Sequence, residues 1–283
     1  MLHQCNIVSL YKISIISMDN EKLNSPELQE RFLRLETQEL FDRYPNELIQ
    51  FANNKILNYC FTKKLGSHDS PSARVLNNWI KTDIVQIDEN DKGKIKRFDL
   101  LERIWINLVV EMREFGLPLE AILKARSILF KEFIAGLSLF KFQVLNTILN
   151  DNQTLVIYKD GDVRILASSS YAEVSNRGMF LPHLNFSLRQ FIELEFPNNN
   201  LSESFGSTGL THSLSKLKLL YFLKTGDFKS LKIEITEGDI RFIESSSSLV
   251  ISEDIQKSID RWTFKKITVL IDEETETVIL PNN

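Results

Sequence analysis

Arg74, Asn77, Asn78 and Lys81 are the side chains of this sequence best suited to hold a polyanion and read a base edge. Guanidinium and ammonium groups neutralise phosphates, and amides form paired hydrogen bonds with adenine. Projected on a helix at about 100° per residue from Ala73, the four fall between about 40° and 140°. Ala73, Val75, Leu76, Trp79 and Ile80 fall between about 200° and 360°. One face is apolar; the other carries two cations, two amides and no carboxylate. An ordinary amphipathic surface helix is the plain alternative, and this stretch alone does not separate the two readings.

The flanking residues describe the elements that would position those side chains. Ser70 is a capping residue, and Pro71 suits the first helical position because its missing N–H needs no partner. The helix ends near Thr82-Asp83. Residues 86–96 read as a hairpin or wing with a turn at Asp91-Lys92-Gly93, and Lys92, Lys94, Lys96 and Arg97 make it basic. Asp99 caps the next helix. There Leu101, Ile104, Trp105, Leu108, Met112 and Phe115 form one narrow apolar stripe. Gly116 stops this helix and Pro118 restarts another through Leu119, Ile122 and Leu123.

In this order the segment resembles the MerR-type winged helix-turn-helix family over residues 61–130. The resemblance rests on Leu76-Asn77-Asn78-Trp79, then Lys96-Arg97-Phe98-Asp99, then Met112-Arg113-Glu114-Phe115-Gly116 and Leu117-Pro118-Leu119-Glu120-Ala121-Ile122. It implies a recognition helix in the major groove and a wing on the flanking backbone. The chain departs from the family in having Asn77 in place of Arg, Ile80 in place of an acid and Asp83 in place of Gly. Residues 61–66 are also short for the first helix of the motif.

Overall charge is −4, with 43% hydrophobic and 25% charged residues, an ordinary globular composition. Residues 63–131 hold 13 Lys/Arg against 10 Asp/Glu, leaving 21 against 28 elsewhere, so a basic module sits on an acidic body. Two distant cysteines and four scattered histidines give no disulfide framework and no metal-ligand spacing. That also sets the chain apart from metal-sensing MerR relatives. Ser67-His68-Asp69-Ser70 holds triad residue types, but sequence neighbours cannot adopt triad geometry. There is no phosphate-binding glycine loop and no Gly-x-Ser-x-Gly. A non-enzyme without cofactor or metal is expected, in a reducing cytoplasm and off the membrane.

The expected fold class is α+β in three parts. Residues 1–59 form an extension, disordered to about residue 24 and then helical, with helices after Ser25-Pro26 and after Pro45. Residues 1–17 fit a signal peptide poorly, and Met18 reads as an alternative start. Residues 60–135 form the winged module. Residues 118–150 read as helical, interrupted at Gly136, and the stripe Phe140, Val144, Leu145, Ile148 is expected in a core rather than in a dimer helix. Residues 136–283 form a domain of repeated helix–β-hairpin units, with hairpins at 155–166, 231–244 and 266–280. Gly161-Asp162-Val163-Arg164 recurs as Gly238-Asp239-Ile240-Arg241, and helices precede the last two hairpins. Asp160, Asp162 and Asp239 belong to turn chemistry. Residues 196–209 read as a polar loop.

The functional expectation is a DNA-binding transcriptional regulator, a homodimer on double-stranded DNA, whose C-terminal domain regulates, dimerises or recruits a protein partner. The alternative is an interaction scaffold whose winged module no longer binds DNA.

Overall fold

The computed structural model describes residues 46–65, 71–87, 96–134, 136–178, 180–198, 201, 213–245 and 252–281. The expected start at Met1 or Met18, the disordered segment, the helix after Ser25-Pro26 and the cap at Ser70 lie outside these residues. So do the turn at Asp91-Lys92-Gly93 with Lys92 and Lys94, and most of the loop 196–209. The chain is α+β, and residues Glu47–Asn283 pack as one compact unit.

Among the described residues, helices α1 (Asn46–Ala52) and α2 (Lys55–Thr62) come first; the Asn54 side chain caps α2 by accepting from the Ile56 amide at 3.0 Å. They bury Leu48, Phe51, Leu57, Cys60 and Phe61. The expected boundary at 59/60 therefore cuts through α2 and does not separate two bodies. Helix α3 (Ala73–Lys81) starts two residues after Pro71, with Ser72 at the cap position but making no side-chain cap bond. Its apolar side is narrower than the projection indicates. Leu76 and Trp79 are buried, whereas Ala73 and Val75 are exposed.

Asp99 begins α4 (Leu100–Glu114) by accepting from the Glu102 amide at 2.9 Å. Gly116, at φ +82°, ends it: its amide bonds Arg113 O at 3.0 Å and the Leu117 amide bonds Met112 O at 2.9 Å. This crossed pair needs a left-handed residue, the conformation glycine adopts without steric penalty. The expected stripe underestimates α4. Leu100, Ile106 and Val109 are buried as well, while Phe115 is 65% exposed. The helix is covered from several sides, by α2, by α5 (Leu119–Leu129) and by α8 (Leu188–Glu193).

A small hairpin, β1 (Glu132–Ile134) with β2 (Leu137–Ser138), turns at Gly136 where an interrupted helix was expected. It straddles the expected boundary at 135/136, so that division too falls inside an element. Ser138 caps α6 (Leu139–Leu149), and every residue of α6 from Phe140 to Leu149 is buried among α5, α8, α9 (Leu214–Thr225) and β3 (Gln153–Tyr158). The core expectation for Phe140, Val144, Leu145 and Ile148 matches this burial.

The first hairpin, β3 with β4 (Val163–Ala167), gains a third strand on its other side, β5 (His183–Ser187), giving the antiparallel order β4-β3-β5. Helix α7 (Ser168–Asn176) follows β4. The second and third hairpins are β6 (Ser230–Thr236) with β7 (Asp239–Glu244) and β8 (Lys266–Leu270) with β9 (Glu276–Ile279). They join through β6 and β8 into one sheet ordered β7-β6-β8-β9, preceded by α9 and α10 (Glu253–Asp260) respectively. Two of the three repeats thus share a sheet, and the first stands in another. Among the described residues, no helix is long and apolar enough to cross a membrane.

Candidate nucleic-acid interface

Arg74, Asn77, Asn78 and Lys81 are all exposed on α3. Beneath them Leu76 and Trp79 anchor the helix in the core. Asp83 adopts φ +57°, the left-handed conformation that a short polar side chain tolerates. This reverses the chain so that the Ile84 and Val85 amides both bond the Trp79 carbonyl, at 2.9 and 3.2 Å. The Thr82 hydroxyl donates to the Asn78 carbonyl at 3.0 Å. The open C-terminal carbonyls of α3 are thereby satisfied without using its outer side chains.

The segment after α3 is bolted to the start of α4. The Trp105 indole donates to Ile84 O at 2.7 Å, and the Gln86 amide donates to Glu102 Oε2 at 3.1 Å. Glu102 is itself buried in a two-pronged ion pair with Arg126 of α5. Burial raises the Glu102 carboxyl above its ordinary pKa, and the Arg126 charge opposes that rise. The Arg126 guanidinium also lies over the Phe130 ring, 4.1 Å from its centre. This buried pair fixes α4, α5 and the chain leaving α3 in one arrangement.

The second attachment comes from the segment that leads into α4. Lys96 is half-buried, Arg97 is exposed and Phe98 is buried, an alternation that pins the segment through Phe98. The Leu65 amide donates to Phe98 O at 3.0 Å, tying the chain that follows α2 to the segment that leads into α4. Both attachments converge on the first turns of α4. Of the eight expected DNA-contacting residues, the structure presents Arg74, Asn77, Asn78 and Lys81 on one exposed helix side, and places Lys96 and Arg97 on the segment that leads into α4. Lys92 and Lys94 lie outside the described residues. The connection from α2 to α3 runs through residues 63–72, longer than the turn of about 3–4 residues in a tight helix-turn-helix.

Several residues that hold this site carried no local signal. Lys63 pairs with Asp227, whose other oxygen accepts from the Tyr221 hydroxyl at 3.0 Å. Tyr59 bonds Asp272, which holds that exposed carboxyl down at about 2. Arg103 and Asn107 of α4 both bond Glu195, at 2.5 and 2.8 Å. An acid within an apolar helix face, as at Glu102, was the one detectable sign; the partners lie too far along the chain to be assigned by spacing.

No protein-family model, curated protein or solved structure matches this chain.

Proposed function

We propose that the chain is a DNA-binding transcriptional regulator that lays α3 in the major groove. The observation that carries this reading is the outer side of α3: two cations and two amides, exposed together on a helix that buries Leu76 and Trp79 and whose following segment is bonded to α4. Groove reading requires such a preset surface, because ordering mobile side chains would consume binding energy. Arg74 and Lys81 reach phosphates or guanine edges; Asn77 and Asn78 reach adenine edges. Lys96 and Arg97 take backbone phosphates beside them, with Lys92 and Lys94 of the same wing. One such module covers little DNA, so a homodimer on a two-fold site in the cytoplasm is part of the proposal.

The test is fluorescence anisotropy with duplex DNA at two salt concentrations. Affinity should fall with salt, and the Lys96→Ala, Arg97→Ala double variant should reduce the salt slope by about 2, weakening all sequences alike. An unchanged slope would remove the wing from the interface, and salt-independent or absent binding would remove DNA altogether. The long 63–72 connection favours one rival, a protein-interaction scaffold built on the same α+β body. A stoichiometric protein partner without salt-sensitive DNA retention would select it.

A further inference from the structure

The two edges of the four-stranded sheet are finished differently. Strand β9 is four residues long, is followed by Pro281, and lies beside Asp272, Glu273, Glu274 and Glu276. Short length, proline and charge are the usual guards of a sheet edge. Strand β7, at the other edge, is six residues long and has no proline or lysine; its one arginine, Arg241, is held by Asp239 at 2.7 Å. Its only register irregularity lies at the hairpin end. On the outer face Phe242 is 67% and Ile240 41% exposed.

The hydrogen-bond phase of β7 follows from its neighbours. The Ser245 amide bonds Lys229 O at 3.4 Å, and Glu234 O accepts from the Lys265 amide on the β8 side at 2.8 Å. With the observed pairing, antiparallel alternation directs the N–H and C=O of Arg241 and Ile243 to β6. Those of Ile240, Phe242 and Glu244 face the edge that no strand covers among the described residues. An edge of this kind is a template for another strand, and an antiparallel strand related by a two-fold axis is self-complementary.

We infer that a second copy of this chain adds to the β7 edge about an axis through Phe242, joining two four-stranded sheets into one. Charge, turn geometry and strand length select this register: an axis through Ile243 carries Ile240 past the end of β7. An axis through Arg241 sets two guanidinium groups directly opposite, which is unfavourable. An axis through Ile240 would oppose Asp239 and Arg241, but it pairs Phe242 with Gly238, where φ +87° bends the backbone out of the strand. The Phe242 axis sets Ile240 opposite Glu244, Arg241 opposite Ile243 and Phe242 opposite its own copy. It satisfies all three outward-facing residues and places no like charges opposite one another. This surface stands independently of DNA binding.

Sedimentation of the full chain without DNA should show a concentration-dependent monomer–dimer equilibrium. Phe242→Pro removes an outward N–H and none of the bonds to β6; Phe242→Lys sets two ammonium groups on the axis. Each should weaken the dimer by about tenfold or more, with a parent-like thermal melt. Val278→Lys, on the guarded edge of the same face, should leave it intact. In a Cys5→Ser background, Phe242→Cys should cross-link on oxidation, because Cα atoms about 5.5 Å apart suit a disulfide, while Ile240→Cys should not; Cys60 is buried. A monomer at all concentrations, a dimer indifferent to both Phe242→Pro and Phe242→Lys, or stronger cross-linking through Ile240→Cys would overturn the inference.

Discussion

Helix α3 turns Arg74, Asn77, Asn78 and Lys81 to solvent, whereas α6 buries Lys141, Gln143, Asn146 and Thr147. Both helices carry polar residues at about the same density, so polarity alone did not decide which faces water. Partners did. Along α6, Asn150 donates to Asn146 Oδ1 at 3.0 Å, Asn146 donates to Gln143 Oε1 at 3.1 Å, and Thr147 donates to the Gln143 carbonyl at 2.8 Å. Lys141 bonds Asn58 and the Gly136 carbonyl, and burial lowers its pKa. Burying polar groups is tolerable only when they bond one another. In α6 the polar face is used internally; in α3 it is exposed, and among the described residues the bonds given to the helix come from its C-terminal carbonyls while Leu76 and Trp79 are buried beneath it. A polar helix face is therefore a candidate interface when its side chains are left over after the fold has been satisfied.

The largest expected break in this comparison comes from beneath α3. Arg126→Met should destabilise the chain by about 3–5 kcal/mol, because Glu102 would remain buried without its cation. Urea unfolding measures this, and DNA affinity should fall with it as the chain leaving α3 loosens. A loss below about 1 kcal/mol would show that the pair does not fix α3.

The next concerns the far end of α6. Lys224, only 4% exposed, donates to Leu149 O at 3.2 Å, and burial holds its ammonium down at about 8 rather than 10.5, with the nearby Arg189 charge acting in the same direction. A base with a depressed folded-state pKa carries its full burial penalty below about pH 8. The penalty is relieved as pH rises toward the unfolded value, where the unfolded chain still binds the proton and the folded chain does not. Stability should rise by up to about 3 kcal/mol between pH 8 and 10.5 from this group. Lys224→Met should lack that increment when both are unfolded in urea across this range.

The smallest effect sharpens the contrast directly. Asn146→Ala should cost about 1–3 kcal/mol, since it strands the buried Gln143 and the half-buried Asn150, whereas Asn78→Ala should stay within about 0.5 kcal/mol in stability. For DNA the order should reverse, with Asn78→Ala relaxing sequence preference by about 1–3 kcal/mol at one base. Equal stability costs for the two would mean that Asn78 also serves the fold.

Local spacing made much of this legible. The α3 projection, the Asp99 cap, the Gly116 stop and the Asp-Gly turn at Gly161 each depend on residues within one turn or hairpin. At Gly161 the structure adds a second reason for glycine: a Cβ there would lie 2.4 Å from Ala121 O of α5. Strand β5 escaped notice because its pairing with β3 depends on a surface already formed, and His183-Leu184-Asn185-Phe186-Ser187 is too short to declare itself. The same is true of the sheet shared by the second and third hairpins. Both expected boundaries failed because α2 and the 132–138 hairpin belong to a core assembled from distant segments. At the site, the outward residues were readable, but Glu102–Arg126 and Lys63–Asp227 were not, since nothing in either sequence neighbourhood names its partner.

The docking of α1 and α2 has a consequence for the order in which the molecule is completed. Phe51 and Phe61 pack on Tyr221, at ring-centre distances of 6.3 and 6.2 Å, and Lys63 pairs with Asp227. At a synthesis rate of about 5–20 residues per second, these helices leave the ribosome roughly 10–30 s before those partners exist. During that interval α2 can already dock on α4, but the sides of Phe51 and Phe61 that meet Tyr221 stay uncovered until the last third of the polypeptide arrives.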